Sequence, residues 1–204
     1  NDIFFAIKGK KEDGNFYVDE AFKKGASIAI VNKIKNSIKK NKQIKVSDTL
    51  EFLTKSSKIV RENFDGRIIA ITGSCGKTSL KELLGNTINQ YSSATFSPKS
   101  FNNKYGVPLS LFNLNLNHKN GVFEVGMDKK GEINFLSKII NPDIGVITNI
   151  SYAHAKNFKN INQIASAKSE IINNIKKDGS LVLNADDKFY NFHKKIGFKK
   201  NLKI

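Results

Sequence analysis

Short apolar runs alternate with amphipathic stretches along most of this chain. From residue 68 onward, each run of strand length is followed by a stretch with apolar residues three or four positions apart, the spacing of a helix face. Such alternation predicts a mostly parallel sheet flanked by helices, because each helix returns the chain by a right-handed crossover. The predicted strands are 68–72, 94–96, 121–125, 144–150 and 181–184, and the predicted helices are 79–89, 107–112, 132–140, 161–175 and one that starts at Asp187.

The segment before residue 66 has its own alternation and predicts a small α/β unit. Its predicted strands are 2–8, 27–31 and 44–46, and its predicted helices are 16–24 and one that carries Leu50 to Phe64. Asp65-Gly66 is a turn pair that ends this unit. We therefore expect a first domain at 1–65 and a second at 66–204.

A glycine-flanked turn follows the apolar run 68–72 and leads into Lys77, Thr78 and a helical pattern with Leu80, Leu83, Leu84 and Ile88 on one face. A strand, a glycine turn and a helix form the context of a phosphate-binding loop, in which backbone N–H groups and the helix N-terminus face phosphate oxygens. The longer standard pattern has a glycine where Ile71 stands. The alternative is a chance turn, which the flanking strand and helix disfavour.

The composition is that of a soluble globular protein, with 39% hydrophobic and 25% charged residues. The net charge of +16 arises from lysines spread along the whole chain, in a sequence also rich in Asn and Ile. Because no basic-aromatic cluster or recognition helix is visible, we expect a solvated surface and no nucleic-acid partner. A single cysteine and no apolar run near the ~20 residues of a membrane span indicate a cytoplasmic protein without a transmembrane segment.

Polar side chains follow several of the predicted strands, and the carboxyl ends of parallel strands meet at one edge of a sheet. Glu124 closes one strand, Asn102 and Asn103 follow another, and His154 follows a third. Glu124 is either a magnesium ligand or a strand-end carboxylate in solvent. His154 contacts metal or phosphate, or is an ordinary structural histidine. His118 and His193 lie in polar stretches and are expected at the surface.

Lys168 falls on the apolar face of the helix predicted at 161–175. It lies three or four positions from Ile164, Ala165, Ile171 and Ile172, so its side chain points towards the sheet. A buried ammonium is costly unless it is paired or chemically altered. Lys168 therefore either belongs to an active site or extends its ammonium to the rim.

Taken together, these residues resemble the Mur ligases, the ATP-dependent amide-forming enzymes of peptidoglycan synthesis. The resemblance covers nearly the whole chain and includes the short phosphate loop from Thr72 to Thr78. It is nearest to the branch of the family that adds D-alanyl-D-alanine. The stretches that carry it are Asp2–Gly9 with Asp13-Gly14 and Lys24–Ala26, Phe101–Leu109, Glu124–Ile133, and Ala153-His154 with Ala167–Ile171.

The resemblance implies that ATP phosphorylates the terminal carboxylate of a UDP-N-acetylmuramoyl tripeptide and that the amine of D-alanyl-D-alanine attacks the acyl phosphate. It implies ATP and Mg²⁺, a monomer, and a fragment that lacks the family's C-terminal domain and is inactive alone. A sibling ligase that adds the third peptide residue, a folylpolyglutamate synthase-like ligase, a P-loop ATPase and a non-catalytic nucleotide-binding fragment stay open as alternatives.

The resemblance also assigns roles to residues. Asn102 and Asn103 are implied to bind substrate or phosphate, and Lys168 matches a position that is carbamylated in several Mur ligases. Cys75 stands at a variable position of the loop and is assigned no chemistry. The implied ATP contacts are Gly73, Ser74, Cys75, Gly76, Lys77, Thr78 and Ser79. The implied catalytic residues are Lys77, Glu124, His154 and Lys168. The implied magnesium site is formed by Thr78, Glu124, His154 and Lys168.

Overall fold

A computed structural model describes residues 2–9, 11–152 and 157–204. The chain divides into two compact units, Asn1–Ser56 and Ser57–Ile204. This division falls within helix α2 (Thr49–Glu62), whereas the domain boundary predicted from the sequence lies at 65/66 and stays a prediction. In the described part of the chain, no helix combines the length and the apolar character needed to span a bilayer.

The first unit is built on a parallel sheet in the order β1-β2-β3. The strands are β1 (Asp2–Phe5), β2 (Ala26–Val31) and β3 (Gln43–Lys45), with helix α1 (Val18–Lys23) after a short 3-10 helix at Gly14–Tyr17. Its core consists of Ala6, Val18, Ala29 and Val31, with Phe4, Phe22 and Ile38 packed against them. The predicted strand 2–8 is shorter than expected, because the chain turns after Phe5.

The second unit contains a five-stranded parallel sheet in the order β5-β6-β4-β7-β8. Its strands are β4 (Arg67–Thr72), β5 (Ala94–Phe96), β6 (Asn120–Glu124), β7 (Ile144–Ile147) and β8 (Ser180–Leu183). Its helices after α2 are α3 (Lys77–Tyr91), α4 (Gly106–Phe112), α5 (Glu132–Ile140), α6 (Ile161–Ser169) and α7 (Tyr190–Lys199). The predicted α/β class with a mostly parallel sheet flanked by helices is confirmed.

Alternation along β4 divides the second unit into two apolar layers. Ile69 and Ile71 face helix α3 and pack with Leu80, Leu84 and Ile88. Ile68 and Ala70 face the opposite side, where the larger cluster contains residues of α4, α5 and α6. Since successive side chains of a strand point to opposite faces, β4 is covered on both sides, as expected for a central parallel strand.

Two of the predicted helices differ in the structure. Leu83, expected on the buried face of α3, is 64% exposed, and Lys81 and Gly85 are the fully enclosed residues of that helix. At about 100° per residue, positions 77, 81, 84 and 88 lie on one side of a helix and position 83 lies off it. The helix predicted at 161–175 ends as α6 at Ser169 and continues as a 3-10 helix over Glu170–Asn174.

Candidate functional site

The carboxyl ends of β4, β6 and β7 bring most of the predicted site residues together. In the register of the sheet, Ile71 of β4 lies beside Glu124 of β6, and Thr72 lies beside Ile147 of β7. The loop after β4 therefore emerges between two strand ends, the position at which open parallel sheets bind ligands.

Two glycines give the phosphate loop (73–76) its path. Gly73 has φ of 145°, and a Cβ atom there would meet the hydroxyl of Thr148 at 1.9 Å. Gly76 has φ of 79° and is the N-cap of α3. Both positions exclude ordinary side chains, the first by close approach and the second by left-handed backbone. Because the strand continues through Ile71, the turn requires no glycine at that position.

The segment after β7 holds this loop in place, a contact that the sequence analysis missed. Thr148 donates its hydroxyl to the carbonyl of Cys75 at 2.7 Å, and the Oδ1 of Asn149 accepts from the Cys75 N–H at 3.1 Å. The Ser74 hydroxyl donates to the Ser151 carbonyl and accepts from the Ser151 N–H. The phosphate loop is therefore fixed by 148–151, and the strand predicted at 144–150 ends at Ile147 because the following residues make these contacts.

Glu124 is the centre of a buried polar cluster. Its carboxylate accepts from the Thr78 hydroxyl and from the Asn102 amide, each at 2.6 Å. The side chain is 1% exposed, so the solvent-facing alternative for Glu124 is wrong. Ser100 also reaches this cluster, with its hydroxyl 3.5 Å from that of Thr78.

Asn103, Ser79 and Cys75 occupy less central positions. The side-chain oxygen of Asn103 accepts from the N–H groups of Tyr105 and Gly106 at 3.0 Å, so that it caps the start of α4. Ser79 and Cys75 are exposed at the mouth of the loop. Their contacts with ATP, and those of Asn103 with a substrate, stay predictions.

Lys168 points into the site from α6 and is only 1% exposed. Its ammonium nitrogen donates to the Gly73 carbonyl at 2.8 Å. Lys77 donates to the same carbonyl at 3.0 Å, so that two amino groups share one acceptor at the entrance to the phosphate loop. The alternative of an ammonium that extends to the rim is therefore wrong.

Burial and the nearby Lys77 lower the pKa of Lys168 from its ordinary value of 10.5 to about 7. Burial disfavours the charged form, and a second positive charge adds to that effect. A substantial fraction of Lys168 is thus a neutral amine at neutral pH, available for reaction with an electrophile. Thr72, the residue just before the phosphate loop, has a fully buried hydroxyl with no hydrogen-bond partner among the described residues.

The three histidines have different outcomes, and His118, expected at the surface, is partly buried with its Nδ1 2.9 Å from the Thr95 hydroxyl. His154 lies outside the described residues, so its predicted role stays a prediction. His193 was expected at the surface but is buried, with Nε2 3.3 Å from the Ala165 carbonyl. Burial lowers the pKa of His193 from its ordinary range. The polar residues around it in sequence concealed that α7 packs this side chain inward, between its aromatic neighbours and α6.

Lys81 is a buried cation that the sequence analysis did not single out. It is completely enclosed, and its ammonium donates to the carbonyls of Ser97 at 2.6 Å and Lys99 at 2.5 Å and pairs with Glu82 at 2.7 Å. Its position four residues after Lys77 placed it on the same side of α3. That spacing was the signal for its burial.

The oxygen atoms around Glu124 fit a magnesium ion better than a transition metal. Within the described residues no three His, Cys, Asp or Glu side chains form a metal-binding group. Among the described residues Glu124 forms no ion pair, and its buried carboxylate accepts from the neutral side chains of Thr78 and Asn102. Magnesium is commonly held by one or two protein oxygens together with phosphate oxygens and water. Thr78 and Glu124 supply such a pair.

Comparison with known proteins relates this arrangement to one family. The model of the Mur ligase middle domain matches residues 71–204. The chain is 39% identical, over its whole length, to UDP-N-acetylmuramoyl-tripeptide--D-alanyl-D-alanine ligase of Rickettsia prowazekii and covers 44% of that protein. It thus spans less than half the length of this relative.

Solved structures show the same relationship. MurF from Acinetobacter baumannii superimposes with a TM-score of 0.86 at 32% identity, over 97% of this chain and 44% of that one. MurF ligase from Thermotoga maritima in complex with ADP superimposes with a TM-score of 0.80 at 32% identity, over 96% of this chain and 45% of that one. The family match over more than half of the sequence, together with this agreement in fold, shows that the chain belongs to the Mur ligase family.

Proposed function

We propose that this chain carries the ATP-binding and catalytic core of a UDP-N-acetylmuramoyl-tripeptide--D-alanyl-D-alanine ligase. The observation that carries the proposal is the hydrogen-bonded cluster of Thr78, Glu124 and Asn102. It lies beside a phosphate loop whose Gly73 carbonyl accepts from both Lys77 and Lys168. Its relatives of that name support the choice within the family. Because the chain spans less than half of their length, the reaction is proposed for the full-length protein, and this segment alone is expected to be inactive.

The reaction proceeds through two displacements. A carboxylate oxygen of the tripeptide attacks the γ-phosphorus of ATP, and the bond to the β-γ bridging oxygen breaks to release ADP. The amine of D-alanyl-D-alanine then attacks the acyl carbon, expels phosphate and loses a proton. Phosphoryl transfer depends mainly on positioning and charge neutralisation, so the residues required are cations and N–H donors around the phosphates.

The phosphate loop supplies those groups. Gly76 precedes α3, whose N-terminus points its free N–H groups towards the phosphate site. The ammonium of Lys77 rests on the Gly73 and Ser74 carbonyls and would move from them to the terminal phosphates. A magnesium ion at Thr78 and Glu124 would neutralise charge on the phosphate oxygens. Asn102 orients Glu124 for that purpose.

Lys168 is proposed to act as a carbamate. Its neutral amine attacks the carbon of CO₂ and loses a proton, which converts a buried cation into an anion. The lowered pKa of Lys168 supplies the neutral amine. The buried hydroxyl of Thr72 is a hydrogen-bond donor that has no acceptor among the described residues. An anion there would help to hold magnesium, with His154 as the further predicted contact. The single charge of the carbamate also relieves the repulsion between Lys168 and Lys77.

The same proposal includes the cellular location, the oligomeric state, the partners and the roles of the two domains. The protein acts in the cytoplasm as a monomer on small molecules, without a nucleic-acid partner. The segment 1–65 is part of a domain that binds the UDP-linked substrate, and 66–204 is part of the ATP-binding domain. A sibling ligase that adds the third peptide residue is the principal competing function, because its reaction has the same phosphoryl chemistry.

The test is phosphate release from ATP by the full-length protein. We expect release only when UDP-N-acetylmuramoyl tripeptide and D-alanyl-D-alanine are both present. Release with a UDP-linked dipeptide and a single amino acid would transfer the assignment to the sibling. Release with neither acceptor would indicate a simple ATPase.

A further inference from the structure

Outside the proposed catalytic groups, Lys81 is a buried cation whose hydrogen-bond donors are all used. An ammonium has three N–H donors, and here each has an acceptor, namely the carbonyls of Ser97 and Lys99 and the carboxylate of Glu82. The Lys81 side chain is fully enclosed, whereas the side chain of Glu82 is 42% exposed. A buried charge with all its donors used fixes the geometry of the groups around it.

The two carbonyl acceptors of Lys81 lie in the first half of a loop that ends at the proposed magnesium site. We define this segment, residues 97–102, as the Asn102 loop. Ser97 is anchored to β6, since its N–H donates to the Val122 carbonyl and its hydroxyl accepts from the Glu124 N–H. At the other end, Asn102 donates to the Glu124 carboxylate, and its carbonyl accepts from the Gly126 N–H.

Lys99, in the middle of the Asn102 loop, has left-handed backbone with φ of 47°. For a residue other than glycine this conformation costs roughly 1 kcal/mol and persists where surrounding contacts hold it. Two contacts surround it, the hydrogen bond from Lys81 to the Lys99 carbonyl and a turn in which the Phe101 N–H donates to the Pro98 carbonyl at 3.1 Å. Lys81 therefore ties this turn to α3 and helps to fix the path that brings Ser100 and Asn102 to the cluster.

Lys81 also lies on the same helix as Thr78, one turn further along. The Thr78 hydroxyl contacts Glu124 and lies near Ser100, so both sides of the cluster depend on how α3 meets the Asn102 loop. Lys81 is the charged contact between these two elements. It joins the helix that carries Thr78 to the loop that orients Glu124.

We propose that Lys81 is a positioning residue, which fixes the Asn102 loop against α3 and so sets the separation of Thr78, Glu124 and Asn102. The inference rests on the proposed function, which places magnesium and the terminal phosphate at this cluster. Lys81 touches neither group; it acts through the loop. Its loss should therefore weaken the contribution of magnesium to nucleotide binding and leave metal-free binding of nucleotide almost unchanged.

The experiment compares full-length wild type, Lys81→Met and the control Lys58→Met by calorimetry. The probe is AMP-PNP, a nonhydrolysable ATP analogue. It is titrated into each protein once in buffer with Mg²⁺ and once in buffer with EDTA. Residues that orient metal ligands typically affect metal affinity by about 10- to 100-fold. We expect Lys81→Met to lose about that factor in Mg²⁺-dependent affinity and to stay within about threefold of wild type in EDTA. Lys58 is exposed and should change neither value.

A second measurement follows the Asn102 loop directly by hydrogen exchange. Amides of residues 97–102 should exchange faster in Lys81→Met than in wild type, whereas those of β7 should be unchanged. If Lys81→Met does not fold, Lys81→Gln, which keeps two N–H donors without the charge, replaces it in both measurements. Equal losses of affinity with Mg²⁺ and with EDTA, or unchanged exchange in the loop, would overturn the role of Lys81.

The two proposals can fail separately. Wild-type protein that binds AMP-PNP with no gain from Mg²⁺ would overturn the proposed function. The exchange of residues 97–102 would still decide whether Lys81 holds the loop. Conversely, wild type with a full Mg²⁺ effect that Lys81→Met retains would overturn the positioning role alone.

Discussion

The two ends of the five-stranded sheet each bury a basic side chain, but they pair it differently. At the amino ends, Arg61 donates to the carbonyls of Ile140, Phe64 and Asn141 at 2.7–3.1 Å and lies 3.7 Å from the Asp143 carboxylate. At the carboxyl ends, the one hydrogen bond of Lys168 within the described residues is to Gly73, a carbonyl that Lys77 also contacts.

The charged neighbours of these two side chains also differ, since Arg61 lies near an opposite charge and Lys168 near a like charge. Burial lowers the pKa of Arg61, but Asp143 opposes that effect, and a guanidinium remains charged. Burial lowers the pKa of Lys168 to about 7, and the like charge of Lys77 reinforces that effect. A cation with several acceptors holds structure together, whereas one with a single acceptor among the described residues is ready to change its protonation or its covalent form.

The largest expected effect comes from removing Lys168. In the full-length ligase, Lys168→Ala should lower kcat by roughly 100- to 1,000-fold, the scale for loss of one group that stabilises charge in a transition state. Short carboxylic acids added to the assay should restore part of the rate by replacing the carbamate. The exposed Lys138 provides the control, and Lys138→Ala should retain wild-type turnover. Unchanged kcat in Lys168→Ala would show that the buried cation at the carboxyl ends of the strands does not serve catalysis.

Removing Arg61 should act on stability. Arg61→Met leaves the carbonyls of Ile140, Phe64 and Asn141 without their donor, and loss of one partner from a buried charged network costs about 3 kcal/mol. Urea denaturation measures this loss, and turnover per folded molecule should stay near wild type. A variant of wild-type stability with impaired turnover would show that the amino ends, too, serve catalysis.

The pH dependence of stability separates the two cations further. Folded protein loses the Lys168 proton near pH 7 and the unfolded chain near 10.5, so the unfolded chain binds more protons between these values and stability rises with pH. In CO₂-depleted buffer, wild type should gain about 2 kcal/mol from pH 7 to 9 relative to Lys168→Met. Arg61→Met should keep the wild-type slope. Parallel curves for wild type and Lys168→Met would contradict the lowered pKa.

The smallest expected effect concerns the contact that fixes the phosphate loop. Asn149→Ala removes the acceptor of the Cys75 N–H and a donor to its carbonyl, contacts of 3.1 and 3.3 Å at an exposed site. Such hydrogen bonds contribute about 1 kcal/mol, so ADP affinity should fall by about fivefold. Fluorescence titration measures it, with Asn113→Ala, at the residue after α4, as control. Wild-type affinity in Asn149→Ala would show that the loop keeps its form without this contact.

The sequence predicted the parts of the site that depend on periodicity. Helical spacing placed Lys168 on the apolar face of its helix, and the structure shows it buried there. The carboxyl ends of parallel strands were expected to gather Glu124 and Asn102, and the two side chains are in contact. These predictions succeeded because strand direction and helix face are local properties of the chain.

Other parts depend on partners that no local pattern identifies. Arg61 is bound by carbonyls of Ile140 and Asn141, which are far away in sequence. Two of the three acceptors of Lys81 are likewise backbone oxygens, which every residue carries, so the sequence does not distinguish them. Leu83 was placed on the wrong side because the buried side of α3 is centred on Lys81 and Gly85, and position 83 lies off that side. Helical spacing can place a cation on an inward face, as it did for Lys168, but the main-chain acceptors that pair it become visible only in three dimensions.

The position of Cys75 has a practical consequence for measuring this site. It is the one cysteine of the sequence, and its side chain is exposed on the phosphate loop. Within this segment a maleimide dye would therefore attach at a single position, on the loop proposed to bind ATP, without any engineered residue. The rate of labelling would then report occupancy of the loop, because under the proposed function a bound triphosphate shields the Cys75 thiol.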